Sequence, residues 1–209
     1  MALPILWSFR RCPYAMRARL AIASAGARVE LREVVLRDKT EAFLGTSLSA
    51  TVPCLDTGSG VFDESLDVMI AMLRANDPEG WLEKEDQSLS LIEENDGWFK
   101  TALDRYKYAS RHVDVDSEDE RRKAGLFLYH LNQRLAHRDW LCGTAPALAD
   151  MAILPFVRQF AHVDLVWFNA QPWPHVIRWL EVFKTSDRFA AIMKKYPQWK
   201  PGDAPILFP

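Results

Sequence analysis

The order of short strands and helices at the start of this chain constrains its fold more than any other feature. Residues 5–9 are apolar and predict a strand, residues 13 to about 25 predict a helix that ends at Gly26, and the alternating residues 29–36 predict a second strand. A strand, a helix and a strand in this order imply that the two strands pair in parallel through a right-handed crossover.

A hairpin and another helix are predicted to follow. After a short helix over residues 39–44, residues 52–56 and 61–62 predict two strands around the turn DTGSG, and residues 63–74 predict a helix. Two strands joined by a glycine-rich turn form an antiparallel hairpin. The first part of the chain is therefore predicted to be a small α/β domain with a mixed sheet.

The character of the sequence changes at residues 77–87, which are polar and contain proline and glycine. Such a composition is typical of a linker. All later segments are predicted to be helical, including an almost wholly apolar helix over residues 150–162 and a last helix over residues 187–196. We therefore predict two domains, an α/β domain at residues 1–76 and an all-α domain at residues 88–209.

Charge and cysteine usage argue against several classes of function. The chain has 209 residues and a formal net charge of −2, so there is no electrostatic reason to expect nucleic acid or an anionic membrane as a partner. No apolar run is long enough to span a bilayer, and the first residues lack a basic leader, so no signal peptide is expected. Three cysteines do not suggest a disulfide framework, which favours a reducing cytoplasm.

No metal site is predicted. The sequence contains neither HExxH nor CxxC, and the cysteines are not spaced as metal ligands. The five histidines are scattered and are expected to be ordinary surface or core residues: His112, His130, His137, His162 and His175.

Cys12 is the residue that carries the chemistry in this interpretation. Pro13 follows it, and proline is favoured at the first position of a helix, so Cys12 is predicted to be the N-cap. Its sulfur would face the amide groups of the first turn, with Arg10, Arg11 and Arg17 nearby, and its pKa should fall below the free value of about 8.5. The alternative is a small apolar cysteine in the core.

A second cysteine is missing at the position where a dithiol redox site would need one. That position, one turn further along the helix, is Ala15. A mixed disulfide formed at Cys12 must then be resolved by an external thiol, and glutathione is the abundant thiol of a reducing cytoplasm. Cys54 and Cys142 are predicted to be structural.

Four segments resemble the cytosolic glutathione transferase superfamily, in particular its cysteine-type branch, which includes the omega class and the two-domain glutaredoxins. They are CPYAMRARLAI at 12–22, TVPCL at 51–55, DES at 63–65 and ALADMAILPFVRQF at 147–160. The resemblance covers nearly the whole chain in the family's order. It implies a thioredoxin-like N-terminal domain followed by an all-helical domain.

The resemblance also implies roles by position. Cys12 would be the catalytic thiol, and Val52 would hold the cysteinyl backbone of glutathione ahead of a cis proline, Pro53. Glu64 and Ser65 would hold the γ-glutamyl end. The remaining glutathione-site residues implied by the resemblance are Tyr14, Leu36 and Lys39, although Lys39 is equally well explained as a solvated surface charge.

The chain departs from the family's pattern in two places. The family commonly has serine or threonine at the N-cap of the central helix; here Ala147 stands three residues before Asp150, at an expected cost of about 1 kcal/mol in helix stability. Leu48 stands where Ser-Pro is usual, so that loop is expected to differ. An electrophile pocket should lie between the domains, with four candidate residues: Phe9, Trp98, Tyr106 and Arg158.

These observations predict a glutathione-dependent thiol transferase or reductase, a homodimer as in the family, that uses Cys12 and glutathione as co-substrate. Its second substrate would be a small electrophile or disulfide. One alternative is a non-catalytic binding protein on the same scaffold, like stringent starvation protein A, which contacts RNA polymerase. Another is a redox sensor in which Cys12 is modified but not turned over.

Overall fold

The computed structural model describes residues 3–111 and 115–209, so His112 lies outside the described residues. The chain divides into two compact units. The first runs to Glu79 and includes Ser186–Pro209, and the second is Gly80–Thr185. A thioredoxin-like mixed-sheet unit and a helical unit were predicted, and this fold class is confirmed. The division itself differs from the predicted domains, because the end of the chain packs in the first unit.

The first unit is built around a five-stranded sheet in the order β4-β3-β1-β2-β5. β1 pairs in parallel with β2 and antiparallel with β3, β3 pairs antiparallel with β4, and β5 pairs antiparallel with β2. The strands are β1 Ile5–Ser8, β2 Val29–Glu33, β3 Cys54–Asp56, β4 Val61–Phe62 and β5 Leu207–Phe208.

Four helices belong to this unit: α1 Pro13–Ser24, α2 Glu41–Thr46, α3 Ser65–Ala75 and α10 Asp187–Ile192. α1 packs against α3 and is buried along almost its whole length, including Arg17 and Arg19. A core cluster lies where α1 meets the sheet and includes Trp7, Ala15 and Phe43. Burial on all sides explains why α1 is rich in alanine and shows no polar face.

The second unit is helical. It contains α4 Glu85–Glu94, α5 Lys100–Lys107, α6 Ser117–Leu135, α7 Leu148–Ala161, α8 Leu165–Asn169 and α9 Pro174–Lys184. A π-helical turn, Asn95–Phe99, joins α4 to α5, and Gly97 leaves the helical conformation there. α7 is the buried helix of this unit, as its apolar sequence predicted.

The end of the chain differs most from the prediction. The last helix was expected over residues 187–196, but α10 ends at Ile192 and the chain continues as extended backbone into β5. We call residues 193–209 the C-terminal segment. It covers the edge of β2, where the Leu31 N–H donates to Ile206 O at 2.8 Å and the Trp199 N–H donates to Glu33 O at 2.9 Å. A two-residue strand has no periodicity that sequence reasoning can detect.

Candidate functional site

Cys12 lies at the N-cap of α1 in extended conformation, and Pro13 occupies the first helical position, as predicted. The side chain differs from the prediction. The helix has no side-chain capping hydrogen bond, and the thiol instead donates to Val52 O, with Sγ 3.6 Å from that oxygen. A carbonyl oxygen accepts a proton and repels an anion, so this arrangement suits the neutral thiol. A thiolate would turn toward the first-turn amides.

Arg19 holds the loop between β1 and α1 in place. This residue is almost completely buried and donates to Arg10 O at 2.6 Å and to the Ser8 hydroxyl. The Arg10 N–H in turn donates to Glu33 Oε1 at 2.7 Å. Burial lowers the pKa of Arg19 to about 10 and raises the pKa of Glu33. These contacts fix the backbone that leads into Cys12.

A cavity of about 450 Å³ opens beside Cys12 in the first unit. It is lined by Cys12, Tyr14, Leu36, Lys39, Ala50, Thr51, Val52, Pro53, Asp63, Glu64 and Ser65. The structure thus places around one cavity the predicted catalytic residue and all seven residues predicted to bind glutathione. Its lining includes both apolar and polar side chains, as is typical of small-molecule sites.

One wall of the cavity is the loop before β3. The Val52–Pro53 peptide bond is cis, as predicted. Ala50, two residues earlier, has a φ of 53°, in the left-handed region that non-glycine residues rarely adopt. Such conformations are held in place by their surroundings and cluster at functional sites. Sequence reasoning missed Ala50 because nothing in an alanine signals a positive φ.

The opposite wall is the start of α3. Glu64 is the exposed N-cap and Ser65 the first residue of the helix, and Arg17 Nη1 lies 3.4 Å from the Ser65 hydroxyl oxygen. Amide groups at a helix start, together with the positive end of its dipole, suit a carboxylate ligand. Arg17 adds a buried positive charge to this wall.

Asp63 supports the same wall and was not predicted as a site residue. Its carboxylate accepts from the Ser47 hydroxyl at 2.8 Å and from the Ser49 N–H at 3.0 Å. Desolvation would raise the pKa of Asp63, but hydrogen bonds from Ser49, Ser47 and Cys54 outweigh it and lower the pKa. Its carboxylate therefore ties the two cavity loops together. The motif DES contained the signal, but only its last two residues were assigned.

The other two cysteines are buried. Burial, with a contribution from Asp63, raises the pKa of Cys54 to about 12, and burial also raises the pKa of Cys142. Both thiols are therefore protonated and unreactive at neutral pH. Cys12, by contrast, is half-buried and lines the cavity.

The candidates for an electrophile pocket fall in both units. Phe9 packs beside the core cluster of the first unit, with the Arg11 guanidinium 5.6 Å from its ring centre. In the helical unit, Trp98 lines a cavity with Arg105 and Leu126 that neither Tyr106 nor Arg158 lines. Tyr106 instead packs at a tilt against Phe160, with ring centres 5.5 Å apart. The electrophile pocket stays a prediction.

Within residues 3–111 and 115–209, no group of three or more His, Cys, Asp or Glu side chains is arranged to hold a metal ion. Nor does any helix in the described part of the chain combine the length and apolar character needed to cross a membrane.

One large class of glutathione-dependent proteins shares this architecture. It has a thioredoxin-like unit with its site at a helix start, followed in sequence by a helical unit. Family models agree: residues 6–81 match the glutathione S-transferase N-terminal domain and residues 127–182 match its C-terminal domain. The chain belongs to the glutathione S-transferase family. Membership supports a glutathione-related transferase function. A sequence search of curated proteins gives no significant match.

Solved structures share the fold at low sequence identity. A glutathione transferase family member from Pseudomonas fluorescens pf-5, solved with two glutathione molecules bound, has 20% identity and a TM-score of 0.77 over 91% of this chain and 92% of its own. A serine-to-cysteine mutant of poplar glutathione transferase F1 has 14% identity and a TM-score of 0.78 over 92% and 97%. Trametes versicolor glutathione transferase Omega 3C has 14% identity and a TM-score of 0.73 over 90% and 83%.

Proposed function

We propose that this protein is a glutathione-dependent thiol transferase of the cysteine-type branch, with Cys12 as its nucleophile. The observation that carries the proposal is that Cys12, at the start of α1, shares one cavity with the Val52–Pro53 loop and the Glu64–Ser65 helix start. A serine or tyrosine at position 12 would instead favour activation of glutathione toward an electrophile.

The proposed reaction has two exchange steps. The Cys12 thiolate attacks the glutathione sulfur of a mixed disulfide, so that a Cys12–glutathione disulfide forms and the other thiol leaves as a thiolate that takes up a proton. A second glutathione thiolate then attacks the glutathione sulfur of that adduct. Oxidised glutathione leaves, and Cys12 is restored as the thiolate.

The second step needs an external thiol because the chain supplies none at the right place. Ala15, one turn along α1, is fully buried in the core cluster, and Cys54 is a buried thiol with a strongly raised pKa. A dithiol mechanism would require a second reactive cysteine beside Cys12.

Binding of glutathione is proposed to follow the walls of the cavity. Its γ-glutamyl carboxylate would accept from the amides at the start of α3 and from Ser65, and its cysteinyl backbone would pair with Val52. Lys39 would meet the glycine carboxylate at the other end, with Leu36 beside it. A cytoplasmic location, a homodimer and a small electrophile or disulfide as second substrate belong to the same proposal.

The test is steady-state reduction of a glutathionylated peptide by glutathione. Cys12→Ser should lower the rate to that without enzyme, because the hydroxyl cannot form a disulfide. Cys142→Ser is the matched control: it makes the same atomic change at a buried thiol next to Ser88 and should keep most of the activity. Both variants should unfold at about the same temperature as the unchanged protein.

Three other results would each favour a different function. Full activity in Cys12→Ser would contradict it and leave a transferase that activates glutathione by another group. No turnover, combined with no retention on immobilised glutathione, would favour a binding protein on this scaffold. A single glutathionylation of Cys12 without steady-state turnover would favour a redox sensor.

A further inference from the structure

The C-terminal segment contacts the loop that carries two of the cavity residues. This loop, residues 34–39, leaves β2 and turns at Val35–Asp38, where the Asp38 N–H donates to Val35 O at 2.8 Å. Leu36 and Lys39, in and just after the turn, line the cavity beside Cys12. The position of both side chains therefore depends on the conformation of this turn.

Gln198 of the C-terminal segment binds the turn directly. Its side-chain amide donates to Asp38 O at 2.9 Å and lies 3.1 Å from Asp38 Oδ2. Both acceptors belong to the residue immediately before Lys39. Gln198 and Trp199 also border one crevice with Val35 and Asp38, so the segment lies against the turn.

Trp199 anchors the segment at this point. The Arg32 guanidinium lies 4.2 Å from the Trp199 ring centre, and the Trp7 ring meets the same indole edge-on at 5.1 Å. The Trp199 N–H also donates to Glu33 O, the last residue of β2. Cation–π and edge-to-face aromatic contacts of this kind are attractive and hold the indole in place. The amide of Gln198 is thus presented from a fixed backbone.

We propose that Gln198 is a positioning residue for glutathione binding: it holds the Asp38 turn so that Lys39 and Leu36 face the cavity. The inference rests on the proposed function, because it assigns the cavity to glutathione. Covering the edge of β2 would by itself explain β5. It does not explain a side-chain amide that bonds a turn outside the sheet.

The test uses calorimetric titration of the full-length protein with glutathione. Gln198→Glu keeps the size of the side chain but removes the donor and places a carboxylate against Asp38. We expect the dissociation constant to rise about three- to tenfold, since charged and neutral hydrogen bonds to the turn are lost. Gln198→Ala should give a smaller rise, and Gln198→Lys, which restores a donor, should bind nearly as tightly as the unchanged protein.

The control for charge is Lys200→Gln, which lowers the net charge by one, as Gln198→Glu does, at an exposed residue two positions further along the segment. It should leave the dissociation constant within about twofold, because a solvent-exposed charge at this distance is screened. In a Lys39→Ala background, the effect of Gln198→Glu should shrink to less than about twofold, since the two residues would act on one contact.

A general loss of stability would look different. It would lower the unfolding temperature and affect the alkylation rate of Cys12 together with glutathione affinity, whereas a positioning role raises KM for glutathione and leaves kcat and Cys12 alkylation unchanged. An unchanged dissociation constant in both Gln198→Glu and Gln198→Ala would overturn the inference while leaving the proposed function intact. If the unchanged protein fails to bind glutathione, both this inference and the proposed function are contradicted.

Discussion

Among the helices whose N-cap makes no side-chain hydrogen bond, α1 and α7 begin in opposite surroundings. α1 begins after Cys12, whose half-buried thiol lines a cavity. α7 begins after Ala147 in the interior of the helical unit, and there the Asp150 carboxylate accepts from the Ala147 and Leu141 N–H groups and from Trp179 Nε1, each at 2.9 Å.

The start of α1 borders a cavity, whereas the start of α7 is closed by a buried side chain. Every helix start presents amide donors that need partners. At α7, a buried carboxylate meets donors from the helix start, the preceding loop and α9, and joins three parts of the unit. At α1, the residue in the capping position is Cys12, whose thiol lines the cavity.

Removing the carboxylate at α7 should have the largest effect on stability. Asp150→Ala leaves three buried donors without their acceptor, and we expect a loss of about 3–5 kcal/mol in the free energy of unfolding. Urea unfolding followed by circular dichroism measures it. A loss below about 1 kcal/mol would mean that water replaces the carboxylate and that the α7 start is not a structural centre.

The charge of Asp150 makes a second, pH-dependent contribution. Burial raises its pKa from 3.8 to about 6, even though its hydrogen bonds act in the other direction. The folded protein therefore holds this proton more tightly than the unfolded chain. The resulting stabilisation is complete below about pH 4 and is lost as the pH rises through about 6, a change of about 3 kcal/mol.

The measurement compares the free energies of unfolding of the unchanged protein and of Asp150→Asn between pH 4 and pH 7. Other titrating groups largely cancel in this difference, because the two chains differ at one residue. The stability of the unchanged protein relative to the variant should fall with rising pH. A difference that grows toward pH 7 would show that the hydrogen bonds outweigh burial and keep the folded-state pKa low.

The start of α3 provides an intermediate case, because it lines the same cavity as α1 and is also contacted by Arg17. If the γ-glutamyl carboxylate binds there, Ser65→Ala should weaken glutathione binding by about 1–3 kcal/mol through loss of a charge-assisted hydrogen bond. Isothermal titration calorimetry measures this. An unchanged dissociation constant would place that end of glutathione elsewhere.

The smallest effect is expected from adding a cap at α7. Ala147→Ser should raise the free energy of unfolding by about 1 kcal/mol, because a hydroxyl in this extended conformation can accept from the first turn. Thiol transfer should not change. A loss of stability would indicate that the buried site has no room for the oxygen, since Ala147 is only 5% exposed.

The elements around Cys12 were predictable because each has a strong local signal. Pro13 marks the first position of a helix, and the Val52–Pro53 and Glu64–Ser65 pairs stand at element boundaries in the order typical of the family. The fold class followed from the same order of elements. The sulfur–carbonyl contact to Val52 depends on a loop 40 residues away in sequence, and sequence spacing carries no such information.

The parts that escaped prediction depend on tertiary contacts. Arg19 looks like an ordinary helix charge in the sequence, but it is buried because α1 is covered on all sides. The C-terminal segment has no periodicity, and its place at the edge of β2 results from pairing and from the stacking of Trp199 on Arg32. Such contacts become visible only when distant parts of the chain are brought together.

The most direct test of the contrast between the two helix starts is the pH dependence of Cys12 alkylation. The protein is treated with iodoacetamide across a pH series, and modification at each cysteine is measured by peptide mass spectrometry. If the first turn of α1 stabilises the thiolate, the rate at Cys12 should titrate with a midpoint well below about 8.5, while the buried Cys54 and Cys142 stay unmodified. A midpoint at or above that value would contradict the account, because the hydrogen bond to Val52 would then hold Cys12 as a neutral thiol.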